Sequence, residues 1–169
     1  MGALSLSHGQ RVFLLRASLI SVLGYFSALY LSERIRIGYD GQDIPCLPWR
    51  VFVAWLGAPV LPDQLVAFRS VGIEPVLPDG TIIVKRVAGV AGDRIRIEGG
   101  VVYVNDVERA HFSPNTLRAL KKKADAFDRK YVLGPGELLV LGDSAISYDS
   151  RYWGPISAKQ VMGRAWGVW

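Results

Sequence analysis

The sequence predicts a mainly β domain behind one N-terminal membrane-spanning helix. Three observations predict it. From Val12 to Leu31 the chain reads "VFLLRASLISVLGYFSALYL", with Arg16 as its only charge. Beyond it lie short apolar stretches divided by Gly, Pro and Asp, the pattern of strands and turns. Only one later stretch, residues 113–127, shows helical spacing of its apolar residues.

About twenty helical residues rise about 30 Å, enough to cross the hydrocarbon core of a bilayer. Two other readings compete. A cleaved signal peptide fits the small residues Ser27 and Ala28, but the run is long for that role and Arg16 lies within it. A buried core helix needs apolar cover on every face, which the neighbouring sequence does not supply. Arg16, one turn from the N-terminal end, can snorkel to the headgroups. Arg11 and Arg16 flank the start, and Arg34 and Arg36 the end, so loop charge barely discriminates orientation. The expected division is residues 1–36 as cytoplasmic tip and anchor, and 37–169 as the β domain.

Within the β domain, residues 64–68 are a candidate strand after Pro62-Asp63. Residues 80–89, "GTIIVKRVAG", follow the turn Pro78-Asp79-Gly80. In "DRIRIEGGVVYVND" (93–106), Ile95 and Ile97 alternate with Arg94 and Arg96, and Gly99-Gly100 forms a two-residue hairpin turn. The helix over 113–127 has Ser113 as N-cap, Pro114 at its first position, and Leu117, Leu120, Ala124 and Phe127 on one face. "YVLGPGELLVLGD" turns at Gly134-Pro135-Gly136 into a strand, and "QVMGRAWGVW" is a last strand.

Composition narrows function. The net charge is +5, but the basic residues are scattered. The one tight run, Lys121-Lys122-Lys123, falls on the solvated side of the expected helix, so nucleic acid is not the expected partner. A single cysteine, Cys46, excludes an internal disulfide and leaves a thiol redox carrier without a resolving partner. There is no CxxC, and His8 and His111 are far apart in sequence, so no metal or cofactor is expected.

Cys46 lies in "YDGQDIPCLPWRVF" (39–52), between Pro45 and Pro48. Most free cysteines are buried small hydrophobes; this segment is too irregular for a core strand. Lys85 sits mid-strand, and alternation places it with Ile83 and Val87. A lysine held against apolar surface loses solvation of its charged form, which suits a general base near neutral pH. On this stretch alone, an edge-strand lysine reaching water is an equal reading. The loop "GDSAISYDSRYWGP" (142–155) holds Asp149 and Arg151 close enough to pair, with Ser147 and Ser150 free to hydrogen-bond. By itself it also reads as a structural loop tied by an ion pair.

Taken together, "VKRVAGVAGD", "LGDSAISYDSRYWGPI" and "GRAWGVW" resemble, in order, the three C-terminal signature blocks of type I signal peptidases. They follow an N-terminal membrane segment and an X-x-P nucleophile motif, and the likeness covers most of residues 44–169 in outline. The short chain, single anchor and apolar N-terminus resemble in particular the conjugative-transfer pilin-maturation peptidases of the TraF type.

The resemblance implies a signal-peptidase-like antiparallel β domain on the outer, periplasmic side of the cytoplasmic membrane. It implies that the family's nucleophilic serine corresponds to Cys46 and its general-base lysine to Lys85. Ser147 matches the serine that hydrogen-bonds the lysine. Asp149 and Arg151 match the pair that braces the site, and Asp143 the Gly-Asp that opens the block. The expected substrate is an exported precursor polypeptide, pilin above all, and membrane lipid is the other partner.

Two departures stand out. The nucleophile position holds Cys, and Ile44 occupies the place where many members carry a hydroxyl that helps form the oxyanion hole. The thiol needs less activation than a hydroxyl, and its acyl intermediate is a thioester, which reacts with amines in preference to water more than an oxygen ester does. That predicts cyclisation of the product. General signal peptidase activity is an alternative, and an inactive homologue that binds pilin during assembly is the rival from another class. Trp49 and Trp55 are expected at the lipid surface, with core packing an equal reading from sequence.

Overall fold

A helix without a polar face is stable in a protein interior or in a bilayer. α1 (His8–Arg34) is such a helix, 27 residues long, and none of its residues is buried. Phe13, Leu15 and Ile20 are each at least 70% exposed. Its length and composition suffice to cross a membrane. Ser7 and Gln10 close its start reciprocally: the Gln10 amide donates to Ser7 Oγ (3.3 Å), and the Ser7 amide donates to Gln10 Oε1 (2.9 Å). The computed structural model describes residues 7–73 and 76–169. It divides into two compact units, Met1–Ile35 and Arg36–Trp169.

The second unit is built on two sheets. In chain order its strands are β1 (Ile35–Tyr39), β2 (Val51–Leu56), β3 (Leu65–Arg69), β4 (Ile82–Gly89), β5 (Arg94–Glu98), β6 (Val101–Val104), β7 (Val107–His111), β8 (Arg129–Val132), β9 (Glu137–Leu141), β10 (Ile156–Ser157) and β11 (Val161–Gly167). Seven form one sheet in the order β1-β2-β11-β3-β4-β9-β10, and four form a second in the order β7-β6-β5-β8. β3 is central, between β11 and β4, and Leu65 through Phe68 are all buried on its two faces.

The hairpin over 93–106 forms with the expected register, Ile95 opposite Val104 and Ile97 opposite Val102. Gly99 and Gly100 have φ of 59° and 82°, the left-handed pair that a tight hairpin turn requires. The inward residues Ile95, Ile97, Val102 and Val104 pack with Phe112, Leu133, Leu139 and Tyr152, so one core joins the two sheets. Outside, the Arg96 guanidinium lies 3.8 Å from the centroid of Tyr103, its cross-strand partner.

The helix expected over 113–127 is shorter and broken. α2 runs Pro114–Ala119, and a separate 3-10 turn runs Ala124–Phe127. The cap is as expected: Ser113 Oγ accepts from the Asn115 amide at 3.2 Å. The break is a Schellman closure. Lys121 takes a left-handed φ of 53°, its amide donates to Arg118 O, and the Lys122 amide donates to Leu117 O. Leu117, Leu120 and Phe127 still reach the shared core, by a bend where the spacing suggested a straight helix.

Candidate active site

β4 carries two adjacent basic residues to opposite faces. Lys85, 4% exposed, donates from Nζ to Ser147 Oγ at 2.8 Å, and Ser147 is fully buried. Arg86 faces the other way and grips Asp143 with both ends of its guanidinium, Nε to Oδ1 at 2.8 Å and an Nη to Oδ2 at 2.7 Å. A third donor reaches Asp63 O at 2.9 Å. The Asp143 hydrogen bonds raise the Arg86 pKa above its ordinary value, with burial partly opposing them. The strand is thus tethered on both faces to the segment that follows β9.

That segment is tied by charge. Asp149 accepts from Arg151 Nε (2.8 Å) and from the amides of Gly142 (2.8 Å) and Arg151 (3.1 Å). Asp149 and Arg151 are 0% and 1% exposed. The rest of the guanidinium donates to backbone carbonyls, among them His111 (2.6 Å) and Ser144 (2.9 Å). Burial opposes the Arg151 charge, but the hydrogen bonds and charge of Asp149 outweigh it and hold the group ionised above its ordinary value. Asp149 also caps α3 (Ser150–Trp153), a short helix the sequence reading missed; an Asp two residues before the Arg it binds is its signal.

Cys46 belongs to the irregular loop between β1 and β2 and is half-buried. Its carbonyl accepts from the Ser144 amide at 3.1 Å. Gly142 makes this approach feasible: a Cβ there would collide with the Ser147 side chain and come within 3.0 Å of Cys46 O. Cys46, Gly142, Ser147 and Lys85 therefore converge. Sγ points toward Gln42 Oε1, 4.0 Å away, and among the described residues no hydrogen bond joins it to Lys85. A groove of about 730 Å³ takes both Cys46 and Lys85 into its wall, which also includes Ile82, Ile146, Tyr148 and the small Ala54 and Ala67. Burial raises the Tyr148 hydroxyl above its ordinary pKa.

All six sequence-nominated residues lie on this unit. Cys46 and Lys85 share the groove, Ser147 bonds Lys85, Asp149 and Arg151 pair behind them, and Asp143 sits on the opposite face of β4 with Arg86. Arg86 was not singled out in sequence, although strand alternation had already turned it away from Lys85. Trp49 packs against the core of Leu47, Phe52 and Ala54, in space that a Cβ on Gly167 would fill. Trp55 is half-buried, and Trp166 and Trp169 are 40% and 75% accessible.

Signal peptidase I V of Bacillus subtilis is 33% identical over 95 residues, which span 51% of this chain and 56% of that protein. Signal peptidase I of Bacillus caldolyticus is 34% identical over 90 residues, 48% of this chain and 50% of that one. The chain thus spans about half the length of these relatives. A crystal structure of a signal peptidase I from Enterococcus faecalis is similar at 26% identity, covering 63% of this chain and 96% of that one, with a TM-score of 0.40. The family model for signal peptidase, peptidase S26, matches residues 46–169, and the chain belongs to that family.

Proposed function

We propose that the chain is a single-pass membrane endopeptidase that cleaves exported precursors, with its β domain on the outer face of the cytoplasmic membrane. The supporting observation is a buried amine, Lys85, held by a buried hydroxyl, Ser147, in a groove whose wall includes the lone thiol. Cys46 and Lys85 line the same groove, where the thiol proton can pass to that amine.

Sγ attacks the scissile carbonyl carbon, a C–S bond forms, and the carbonyl π pair moves to oxygen. Lys85 takes the thiol proton. Collapse of the intermediate breaks the C–N bond, and Lys85 returns the proton to the leaving amine. Ser147 orients Lys85; Asp149, Arg151 and Asp143 hold the surrounding backbone. The thioester then passes to water or to an amine. Preference for an amine suits a pilin-maturation enzyme that closes its product into a ring.

Two alternatives have specific support. The relatives are signal peptidases I by name, which favours general leader removal with hydrolysis. Ile44, lacking a hydroxyl, favours an inactive assembly factor. The full chain in detergent, incubated with a pilin precursor and analysed by mass, separates all three. A product one water lighter than the linear form is the expected result. Linear product alone, from the parent and from Cys46→Ser alike, removes cyclisation. Cleavage that survives Cys46→Ala removes the thiol, and no cleavage by the parent favours the assembly factor.

A further inference from the structure

Ile44 leaves the oxyanion hole one side-chain donor short, and the loop around Cys46 offers another. We propose that the Gln42 carboxamide is that donor, acting with the Cys46 amide; this rests on Cys46 being the nucleophile. Gln42 lines the same groove as Cys46 and Lys85. Its carboxamide faces Sγ, with Oε1 4.0 Å away. A half-turn of the terminal amide exchanges oxygen for NH2 at the same place. The oxyanion forms two bonds from Sγ, so a donor at this range can close to the about 2.7–3.1 Å that oxyanion stabilisation needs.

The backbone of Gln42 is set independently of its side chain. Its amide donates to Asp40 Oδ1 at 3.0 Å, and its carbonyl accepts from Arg50 Nη1 at 2.9 Å. Arg50 also donates to Asp43 O at 3.3 Å, while its own carbonyl accepts from the Asp40 amide at 2.7 Å. One arginine thus clamps the turn, and the carboxamide is left for the groove. The amide that the relatives' hydroxyl would complement is met from four residues upstream of the thiol instead of two.

The test uses the full chain in detergent as parent, Gln42→Ala and Gln42→Glu, the last isosteric but unable to donate. A substrate-like peptide aldehyde is the probe. Sγ adds to its carbonyl carbon and the thiol proton passes to the new oxygen, giving a hemithioacetal held like the intermediate. Both variants should lose about 10²–10³-fold in kcat, with KM within threefold, and bind the aldehyde more weakly by a similar factor. Alkylation of Cys46 by iodoacetamide passes through no oxyanion, so in Gln42→Ala its rate should stay within twofold and the melting temperature within a few degrees; the carboxylate of Gln42→Glu disfavours the neighbouring thiolate, so that variant is read on kcat and aldehyde affinity.

Variants within threefold of the parent in kcat and aldehyde affinity overturn the proposal. So does an equal loss in alkylation in Gln42→Ala, which would place Gln42 on the sulfur, and so does failure of both variants to fold, which would make it structural. A parent that forms no aldehyde adduct overturns the Cys46 nucleophile along with it; a parent that does, beside unaffected variants, overturns Gln42 alone.

Discussion

The two halves of the candidate site are held by different means. On the side of the base, Asp149 and Arg151 are wholly buried and bind each other, the Gly142 amide and several carbonyls. On the side of the thiol, the loop at residues 40–50 is partly exposed, with Leu47 its one buried residue, and the half-buried Arg50 side chain fastens it through backbone carbonyls alone. A buried ion pair is unforgiving of losing one member, because the other remains as an uncompensated charge. A half-exposed arginine on carbonyls is replaced by water at modest expense. The Lys85 amine is therefore built into the core, while the Cys46 thiol sits on a more exposed segment.

The largest test of this contrast is Arg151→Met. It strands the Asp149 carboxylate at 0% exposure and should destabilise the domain by about 3–5 kcal/mol. Thermal melting read by circular dichroism should fall by roughly 10–20 °C. A drop under 3 °C would mean that the pair does not hold the loop.

Gly142→Ala comes next. Its methyl would strike the Ser147 side chain and crowd Cys46 O. Overpacking of this kind costs about 1–3 kcal/mol, and cleavage should fall at least tenfold because the base and the thiol segment are pushed apart. Normal turnover in this variant would show that the two halves do not depend on their close approach.

Ser147→Ala should be milder in stability, about 1–3 kcal/mol for the buried amine left without its partner. Its signature is a loss of turnover far larger than that of Arg50→Ala, whose loss of stability should stay within about 1 kcal/mol. If Arg50→Ala melts as low as Arg151→Met, the contrast between the halves fails.

The smallest effect is expected at Arg86–Asp143, whose side chains are 32% and 36% exposed. Exposed pairs contribute about 0–1 kcal/mol, so Asp143→Asn should move the melting point by only a few degrees. Turnover falling more than tenfold would show that this outer clamp also positions Lys85.

Sequence by itself determined whatever depends on neighbours along the chain. The apolar run of α1, the Gly99-Gly100 hairpin, the N-cap of α2 and the turning of Lys85 and Arg86 to opposite faces all follow from local steric and periodic rules. Asp149 and Arg151 were legible as a pair because they lie two residues apart. β7 left a trace, since Asn105-Asp106 supplies the two left-handed residues of its turn, at φ of 52° and 66°.

Tertiary structure alone decided the rest. Nothing local says that Arg86 finds Asp143, that Trp49 fills the space beside Gly167, or that Gly142 admits the Cys46 carbonyl. Those contacts join segments tens of residues apart, brought together by burial of the shared core. That burial depends on the summed apolar area and on how closely shapes fit, and no short window of sequence contains either.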